Sequence, residues 1–278
     1  MVSSPARAAA PIGVFDSGVG GLSVLRALRA ELPQEHFVYL SDAAHAPYGE
    51  RTDDYVSARA LRVTEYLVAQ QGVKALVVAC NTATAAAIHT LRAHWPGMPV
   101  VGIEPALKPA AAASQTKVVG VMATRTTLGS AKFKALLDKL QGQAQFVLQA
   151  CDGLAAAIET GDADTAQTLC ARYVQAMGGF GLTDGQMDHL VLGCTHYPLV
   201  ESLLQTLVGP HTTLLEAGPP VSQQTRRVLA QAGLLLPPGV AGAVRLLSTG
   251  STAELGGNAQ RWLGLNGEVT RAQTEAGG

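Results

Sequence analysis

The chain has 278 residues, of which 47% are hydrophobic and 15% charged, and its formal net charge is -1. This composition is typical of a globular enzyme and excludes a disordered chain. No run of basic residues alternates with aromatic residues, and no apolar run approaches the roughly 18 residues that cross a bilayer, so neither a nucleic-acid nor a membrane partner is indicated. We expect two domains and, by default, a cytoplasmic location.

Residues 1–11 are broken by Pro11 and predict a short disordered lead rather than a signal peptide. Apolar runs of strand length then alternate with segments of helical periodicity, which is typical of an α/β fold. Strands are predicted at about residues 12–16, 36–42, 73–80, 98–104, 116–124, 144–151, 188–194 and 244–250. Helices are predicted from Leu22, from Thr52, over about 82–94 and 128–140, in two stretches between 151 and 188, and up to about 233 and 263. The polar residues 265–278 are expected to be frayed.

A glycine-rich loop follows the first strand. Asp16 closes that strand, either as a cap or turn residue or as a functional carboxylate. Gly18, Gly20 and Ser23 nearly match the GxGxxG pattern of dinucleotide-binding loops, and Asp42 ends the second strand, where that pattern expects an acidic residue. The third glycine is absent. A nicotinamide-dependent oxidoreductase therefore stays an alternative of a different reaction class.

Two similar motifs, VVACNT and VLGCTH, organise the chain. Each is a short apolar run that stops at a cysteine, Cys80 or Cys194, before a helix-compatible segment. Ligands of open α/β sheets bind outside the carboxyl ends of the strands, so both thiols are expected at a site. The motif GVFDSG at Gly13 has a loose partner, GVMATR, at Gly120. The offset of 107 residues is close to the 114 residues that separate the two cysteines, which fits two related halves that share one cleft.

The other two cysteines predict no metal site. Cys151 and Cys170 add no CxxC pair and no zinc-ligand spacing. Cys170 falls on an apolar helical stripe and is predicted to lie in the core. Cys151 ends a strand, and both a buried structural thiol and a part of the site remain open. Reduced thiols and no metal are expected.

A thiol at the end of a strand and the start of a helix feels the free N–H groups of that helix, which stabilise its thiolate form. The same N–H groups, with the side chains of Asn81, Thr82 and Thr195, could hold a carboxylate. The predicted cleft therefore suits a small acidic molecule.

Two equivalent cysteines in opposing halves suggest that a proton leaves one face of a substrate and another arrives at the opposite face. This describes racemisation. His196, beside Cys194, and Asp16, on the side of Cys80, would pass protons to and from the thiols. A helix cap or a hydrogen bond in the core is the alternative for His196.

The motifs FDSGVGGLSVL, SDAAHAPYGER, ACNTATA and GCTHYPL, in this order, resemble the glutamate racemase family over nearly the whole chain. The resemblance implies interconversion of L- and D-glutamate without a cofactor for bacterial peptidoglycan, with Cys80 and Cys194 as the acid/base thiols. It implies substrate contacts at Asp16, Ser17, Tyr48, Gly49, Asn81, Thr82, Thr195 and His196, and supporting carboxylates at Asp42 and Glu159. Two stretches depart from the family pattern, LAAAIE before Glu159 and SDAAHAPYG around His45.

Aspartate racemase has a similar layout but usually carries glutamate where His196 stands, so His196 favours glutamate. A non-catalytic binder of another protein is a further alternative, because some members of the family are reported to restrain DNA gyrase, but no basic patch or long extra segment indicates it. The expected fold is two similar doubly wound α/β domains related by pseudo-symmetry, one formed by residues 1–102 and 211–278 and the other by 103–210. The active site would lie in the cleft between them. Closed homodimers are common, but pairing is not needed to bring the thiols together.

Overall fold

The computed structural model describes residues 5–239 and 241–274. The chain divides into two compact units, one formed by the residues up to Ile103 and from Gly218 onward, the other by Glu104–Ala217. The strands are β1 (Ile12–Asp16), β2 (Phe37–Ser41), β3 (Ala75–Val78), β4 (Val100–Gly102), β5 (Val118–Ala123), β6 (Gln145–Ala150), β7 (His189–Leu192), β8 (Thr213–Leu215), β9 (Val244–Ser248) and β10 (Val269–Arg271). The helices are α1 (Pro5–Ala8), α2 (Leu22–Glu31), α3 (Asp53–Gln71), α4 (Asn81–His94), α5 (Leu107–Ala113), α6 (Arg125–Gly129), α7 (Ala131–Lys139), α8 (Leu154–Thr160), α9 (Ala163–Met177), α10 (Glu201–Val208), α11 (Gly218–Gln231) and α12 (Thr252–Leu263). None of the helices in this described part of the chain is long and apolar enough to cross a membrane.

The first unit contains a six-stranded parallel sheet in the order β10-β9-β2-β1-β3-β4. Every residue of β1, β2 and β3 is buried, as expected for strands that are covered on both faces. The chain runs from β1 to β2 on one side and then to β3 on the other side of β1. The carboxyl ends of β1 and β3 therefore form the switch point at which ligands bind in such sheets.

The second unit contains a four-stranded parallel sheet in the order β6-β5-β7-β8. This order repeats the β2-β1-β3-β4 part of the first sheet, because in each unit the first strand lies between the second and the third. Cys80 follows β3, and Cys194 follows β7 after one glycine. The two cysteines thus follow equivalent strands, and the predicted α/β fold with two parallel sheets is confirmed.

Local sequence explains how the first helices begin and end. The Thr52 side chain accepts a hydrogen bond from the Tyr55 backbone N–H and caps α3, and Gly72 ends that helix in the left-handed region at φ 62°. Gly21, just before α2, packs closely, since a Cβ there would lie 2.7 Å from Cβ of Asp16 and 2.9 Å from the Tyr39 hydroxyl. The loop after β1 can therefore approach β2 only with a glycine.

The described residues nearest to the two ends of the chain are more ordered than the sequence predicted. Residues 5–8 form α1, where the Arg7 guanidinium donates to the Gly97 carbonyl (2.7 Å) and the Lys74 ammonium to the Ala8 carbonyl (2.5 Å). The predicted disorder is wrong for this part, and residues 1–4 lie outside the described residues. At the other end, β10 pairs with β9 and the Thr274 hydroxyl accepts from Arg59, so fraying is wrong for residues 269–274. Residues 275–278 lie outside the described part.

Two further expectations differ from the structure. The single helix predicted over 128–140 is two helices, because the Ser130 hydroxyl caps α7 by accepting from the Phe133 N–H at 3.1 Å. Residues 211–217, expected in the first domain, belong to the second unit. They contribute β8, which pairs with β7 and extends the second sheet.

Candidate active site

Cys80 lies where β3 gives way to α4. Its Sγ accepts a hydrogen bond from the Ala83 N–H at 3.5 Å and caps this 14-residue helix. The residue is 5% exposed. The predicted helix start at this cysteine is confirmed, and the free N–H groups of the first turn favour the thiolate form of Cys80.

Asp16 is linked to Cys80 through Ser17. The Cys80 thiol donates to the Ser17 hydroxyl at 3.8 Å, and that hydroxyl donates to Oδ1 of Asp16 at 3.4 Å. The Asp16 carboxylate also accepts from the backbone N–H groups of Ser17 (2.7 Å) and Gly21. It therefore holds the loop and ends a hydrogen-bonded chain that begins at the Cys80 thiol. The same contacts disfavour a dinucleotide, since a pyrophosphate would need those N–H groups.

Asn81 and Thr82 begin α4 beside the thiol, and both are buried. Neither the nitrogen nor the oxygen of the Asn81 side-chain amide has a hydrogen-bond partner among the described residues. A buried amide without partners is uncommon and costs free energy, so this side chain is suited to receive a polar ligand.

Asp42, predicted as a supporting carboxylate, is fully buried after β2. Tyr48 donates to its Oδ2 at 2.5 Å, and Thr249 and His45 contact its Oδ1 at 3.0 and 3.1 Å. Burial raises the pKa of Tyr48, and the neighbouring Asp42 charge raises it further, so this hydroxyl stays a donor. The half-buried Gly49 follows in the same 3₁₀ turn. Asp42 therefore holds the loop that carries the predicted substrate contacts at positions 48 and 49.

Cys194 lies in the second unit with a different set of partners. Its Sγ is 3.7 Å from Nδ1 of His196, and Nε2 of the same ring is 2.6 Å from Oε2 of Glu159 on α8. Burial lowers the pKa of His196, but its hydrogen bonds and charge interactions with Cys194 and Glu159 outweigh burial and raise this pKa well above 6.5. Thr195, between the two residues, is also buried. A thiol, an imidazole and a carboxylate thus form one continuous chain.

The surroundings of Cys194 correct one prediction. No α-helix begins at this cysteine, because a turn and the 3₁₀ helix Tyr197–Val200 come before α10. In this unit the ionic neighbour His196 takes the place of the helix N-terminus that adjoins Cys80.

The other two cysteines, Cys151 and Cys170, are also buried, free thiols. Cys170 is fully buried, as predicted, and burial raises its pKa to about 11. Burial also raises the pKa of Cys151, whose thiol donates to the Gln149 carbonyl at 3.5 Å. Cys151 and Cys194 follow strands on opposite sides of β5. All four cysteines of the chain are free thiols.

Sequence reasoning missed three polar residues around Asp42. They are Arg59, Thr249 and Thr274, all buried. An arginine on the buried stripe of α3 was a usable signal, because arginine is rarely buried without a partner. No sequence pattern indicated the two threonines, since each lies in a short C-terminal segment that is far from Asp42 in the sequence. Within the described residues, no group of three or more His, Cys, Asp or Glu side chains could hold a metal ion.

Together these features define the class of protein. It is a two-unit parallel α/β protein in which each unit presents a buried cysteine at the carboxyl end of its third strand, linked through one polar side chain to a carboxylate. The sequence pattern of the family described as Asp/Glu/Hydantoin racemase matches residues 13–218, and this chain belongs to that family.

Relatives and solved structures agree with this assignment. The chain is 49% identical over 251 residues to the glutamate racemase of Ralstonia pickettii (strain 12J), which covers 90% of this chain and 86% of that protein. It matches the crystal structure of a glutamate racemase isoform from Bacillus anthracis with a TM-score of 0.83 and 31% identity, over 95% of this chain and 97% of that chain. For Escherichia coli glutamate racemase in complex with L-glutamate and the activator UDP-MurNAc-ala, the TM-score is 0.80 at 27% identity, over 94% and 97%. The resemblance to the glutamate racemase family is confirmed.

Proposed function

We propose that this protein is a glutamate racemase that uses Cys80 and Cys194 as its two acid/base thiols. The observation that carries the proposal is the pair of equivalent strand-end cysteines, each with its own link to a carboxylate. The curated relative from Ralstonia pickettii and the structure with bound L-glutamate support glutamate as the substrate.

The reaction needs one base and one acid on opposite faces of Cα. In one direction the thiolate of one cysteine takes the α-proton, and the thiol of the other gives a proton to the opposite face of the carbanion. In the other direction the two cysteines exchange roles. The amino acid is neither oxidised nor reduced, and the two thiols supply both the base and the acid, so no cofactor is part of the proposal.

The remaining residues divide into proton routes and substrate contacts. Ser17 and Asp16 serve Cys80, and His196 and Glu159 serve Cys194. The unpartnered amide of Asn81 is available to a carboxylate or ammonium group of glutamate. The other predicted contacts with the substrate are Thr82, Thr195, Tyr48 and Gly49.

The charge at His196 differs from what its imidazole would have alone. Its raised pKa favours the cationic form, which can donate to the Cys194 thiolate. A cationic imidazole beside the thiol stabilises the basic form of Cys194. It can also return a proton to that sulfur when Cys194 acts as the acid.

The decisive experiment is incubation of the purified protein with L-glutamate, without added pyridoxal phosphate, while the circular dichroism of the solution is followed. We expect a decay to zero optical activity, and the same end point from D-glutamate. L-Aspartate and a 5-substituted hydantoin are the parallel substrates. If optical activity is lost with either of them and not with glutamate, that compound is the substrate instead. A change in NADH fluorescence on binding would favour the oxidoreductase alternative.

Supply of D-glutamate for peptidoglycan, a cytoplasmic location and pairing into a homodimer stay predictions that accompany this proposal.

A further inference from the structure

Arg59 forms a buried ion pair in the first unit, which also contains Cys80. It lies on α3 and is 4% exposed. Its Nε donates to Oδ2 of Asp42 at 3.1 Å, and its Nη2 donates to Oδ1 at 2.8 Å. The two contacts form the fork that suits a guanidinium and a carboxylate, and Nη2 also donates to the Thr274 hydroxyl at 2.8 Å. A buried guanidinium with this set of partners fixes the carboxylate in one orientation.

Asp42 connects Arg59 to the residues around Cys80. Its Oδ2 accepts from Tyr48 at 2.5 Å, and Tyr48 packs in the same apolar cluster as Cys80. The Asp42 N–H also donates to the Asp16 carbonyl at 2.9 Å, which ties it to the loop that carries Ser17. Asp42 therefore connects the Arg59 ion pair to two parts of the surroundings of the Cys80 thiol, the Tyr48 ring and the loop that carries Ser17.

We infer that Arg59 is a positioning residue for Cys80, acting through Asp42 and Tyr48. The inference rests on the proposed function. A charged Asp42 without Arg59 would be an uncompensated buried anion near a cysteine that must become a thiolate, and like charges disfavour each other in such surroundings. If Asp42 took up a proton instead, it would change its hydrogen bonding with Tyr48 and free the Tyr48 ring, which belongs to the same apolar cluster as Cys80.

The other groups around Asp42 cannot replace Arg59. His45 approaches Oδ1 with one ring nitrogen at 3.1 Å, but its side chain is 24% exposed. Thr249 and Tyr48 are uncharged donors. Cys80 and Asp16, on the neighbouring loops, both add negative charge when ionised. The compensation of the Asp42 charge therefore depends chiefly on the guanidinium.

The test uses elimination from 3-chloroglutamate, which needs a base and no acid on the opposite face. The thiolate takes the α-proton, the electron pair of the broken Cα–H bond forms the Cα=Cβ bond, and chloride leaves from Cβ. Each enantiomer is deprotonated by one cysteine only. The enantiomer that still reacts with a Cys194→Ser variant identifies the one that Cys80 deprotonates.

In Arg59→Met we expect elimination from the Cys80 enantiomer to fall tenfold or more, as for other small displacements at active sites, and elimination from the other enantiomer to change less than twofold. Arg59→Lys keeps the charge but loses the fork, so its loss should be intermediate. This conservative variant also tests the inference if Arg59→Met does not fold. In both variants the acid limb of the pH profile for the Cys80 enantiomer should move to higher pH.

Lys74→Met is the matched control. Lys74 forms a buried ion pair with Glu35 at 2.5 Å in the same unit, at the amino end of β3, while Cys80 follows its carboxyl end. Loss of this ion pair should lower the stability of the fold and reduce the rate of elimination from both enantiomers by the same factor. The inference is overturned if Arg59→Met and Arg59→Lys reduce elimination from both enantiomers by the same factor, as the control does, or if they change neither rate. A wild-type protein that racemises no glutamate would instead overturn the proposed function.

Discussion

Nε2 of His196 lies 2.6 Å from Oε2 of Glu159, and the other nitrogen of the same ring faces the Cys194 thiol. On the other cysteine, the place of the imidazole is taken by the Ser17 hydroxyl, 3.8 Å from Sγ of Cys80. An imidazole titrates near neutral pH and a hydroxyl does not. The surroundings of the two cysteines are therefore chemically unequal, although the strands of the two units have the same order.

The first prediction concerns Glu159→Gln. A neutral amide removes the charge that supports cationic His196, so proton transfer at Cys194 becomes slower. We expect kcat to fall roughly 10- to 100-fold with a smaller change in KM, because the interaction matters most while the proton moves. Circular dichroism from both pure enantiomers gives kcat and KM in each direction.

The equilibrium constant of racemisation is one, so kcat/KM must fall equally in the two directions. The unequal surroundings of the two cysteines should appear as different losses of kcat. A rise in KM with unchanged kcat would instead show that Glu159 contributes to substrate binding and not to proton transfer. His196→Asn should show the same pattern with a larger loss, and Thr160→Val, beside Glu159 on α8, serves as the control.

The second prediction uses the raised pKa of His196. Because this pKa is higher in the folded than in the unfolded protein, the pair stabilises the fold fully below the unfolded value of about 6.5 and loses its effect as pH rises through the folded value. Urea unfolding of wild type and Glu159→Gln should therefore differ most at pH 6 and progressively less as the pH is raised. The same difference at every pH would mean that Glu159 stabilises the fold by packing alone.

Sequence reasoning located the strand ends and thus Cys80, Asp16 and Cys194, because apolar runs of strand length are a local signal and the site lies where they stop. It could not find the contacts of Asp42, since Thr249 follows Asp42 by 207 residues. Nor could it predict β10, whose residues Val269–Arg271 form a short, largely exposed edge strand. Such a strand exists because β9 offers an open edge, which is a tertiary effect.

The contact of Glu159 with His196 is another that a local sequence pattern cannot predict. Its role came only from a family resemblance, and the surrounding LAAAIE departs from the family pattern. In the structure α8 places its carboxylate on His196, 37 positions later in the sequence. The position of a helix against a loop is set by packing, and no local pattern encodes it.

The third prediction concerns Asp16→Asn. The carboxylate accepts from the backbone N–H groups of Ser17 and Gly21, and an amide nitrogen in place of one oxygen would face one of these donors. We expect a loss of about 2–4 kcal/mol in the free energy of unfolding, from one or two charge-assisted hydrogen bonds. Turnover should also fall more than KM rises. Unchanged stability together with lower turnover would assign Asp16 to proton transfer alone.

The fourth prediction separates the two thiols. Cys80→Ser and Cys194→Ser should both lose racemisation by orders of magnitude, since a serine hydroxyl is a far weaker base near neutral pH than a thiol with an ordinary pKa of about 8.5. With 3-chloroglutamate, each variant should retain elimination from one enantiomer, and the two enantiomers should be opposite. Cys170→Ser, at a buried position in α9, is the control and should eliminate from both. The assignment of one thiol to each face fails if both variants prefer the same enantiomer.

The last prediction asks whether one chain supplies the whole site. The links from Cys80 to Asp16 and from Cys194 to Glu159 each run within one chain, so no second copy is needed to support either thiol. Mixing Cys80→Ala protein with Cys194→Ala protein, after partial unfolding and reassembly, should therefore give no activity. If a dimer instead shared its sites between chains, random pairing would make half of the dimers mixed, each with one intact site. About a quarter of the wild-type activity would then return. Wild-type protein taken through the same steps is the control for recovery, and a return of that size would show that the two thiols of one site come from different chains.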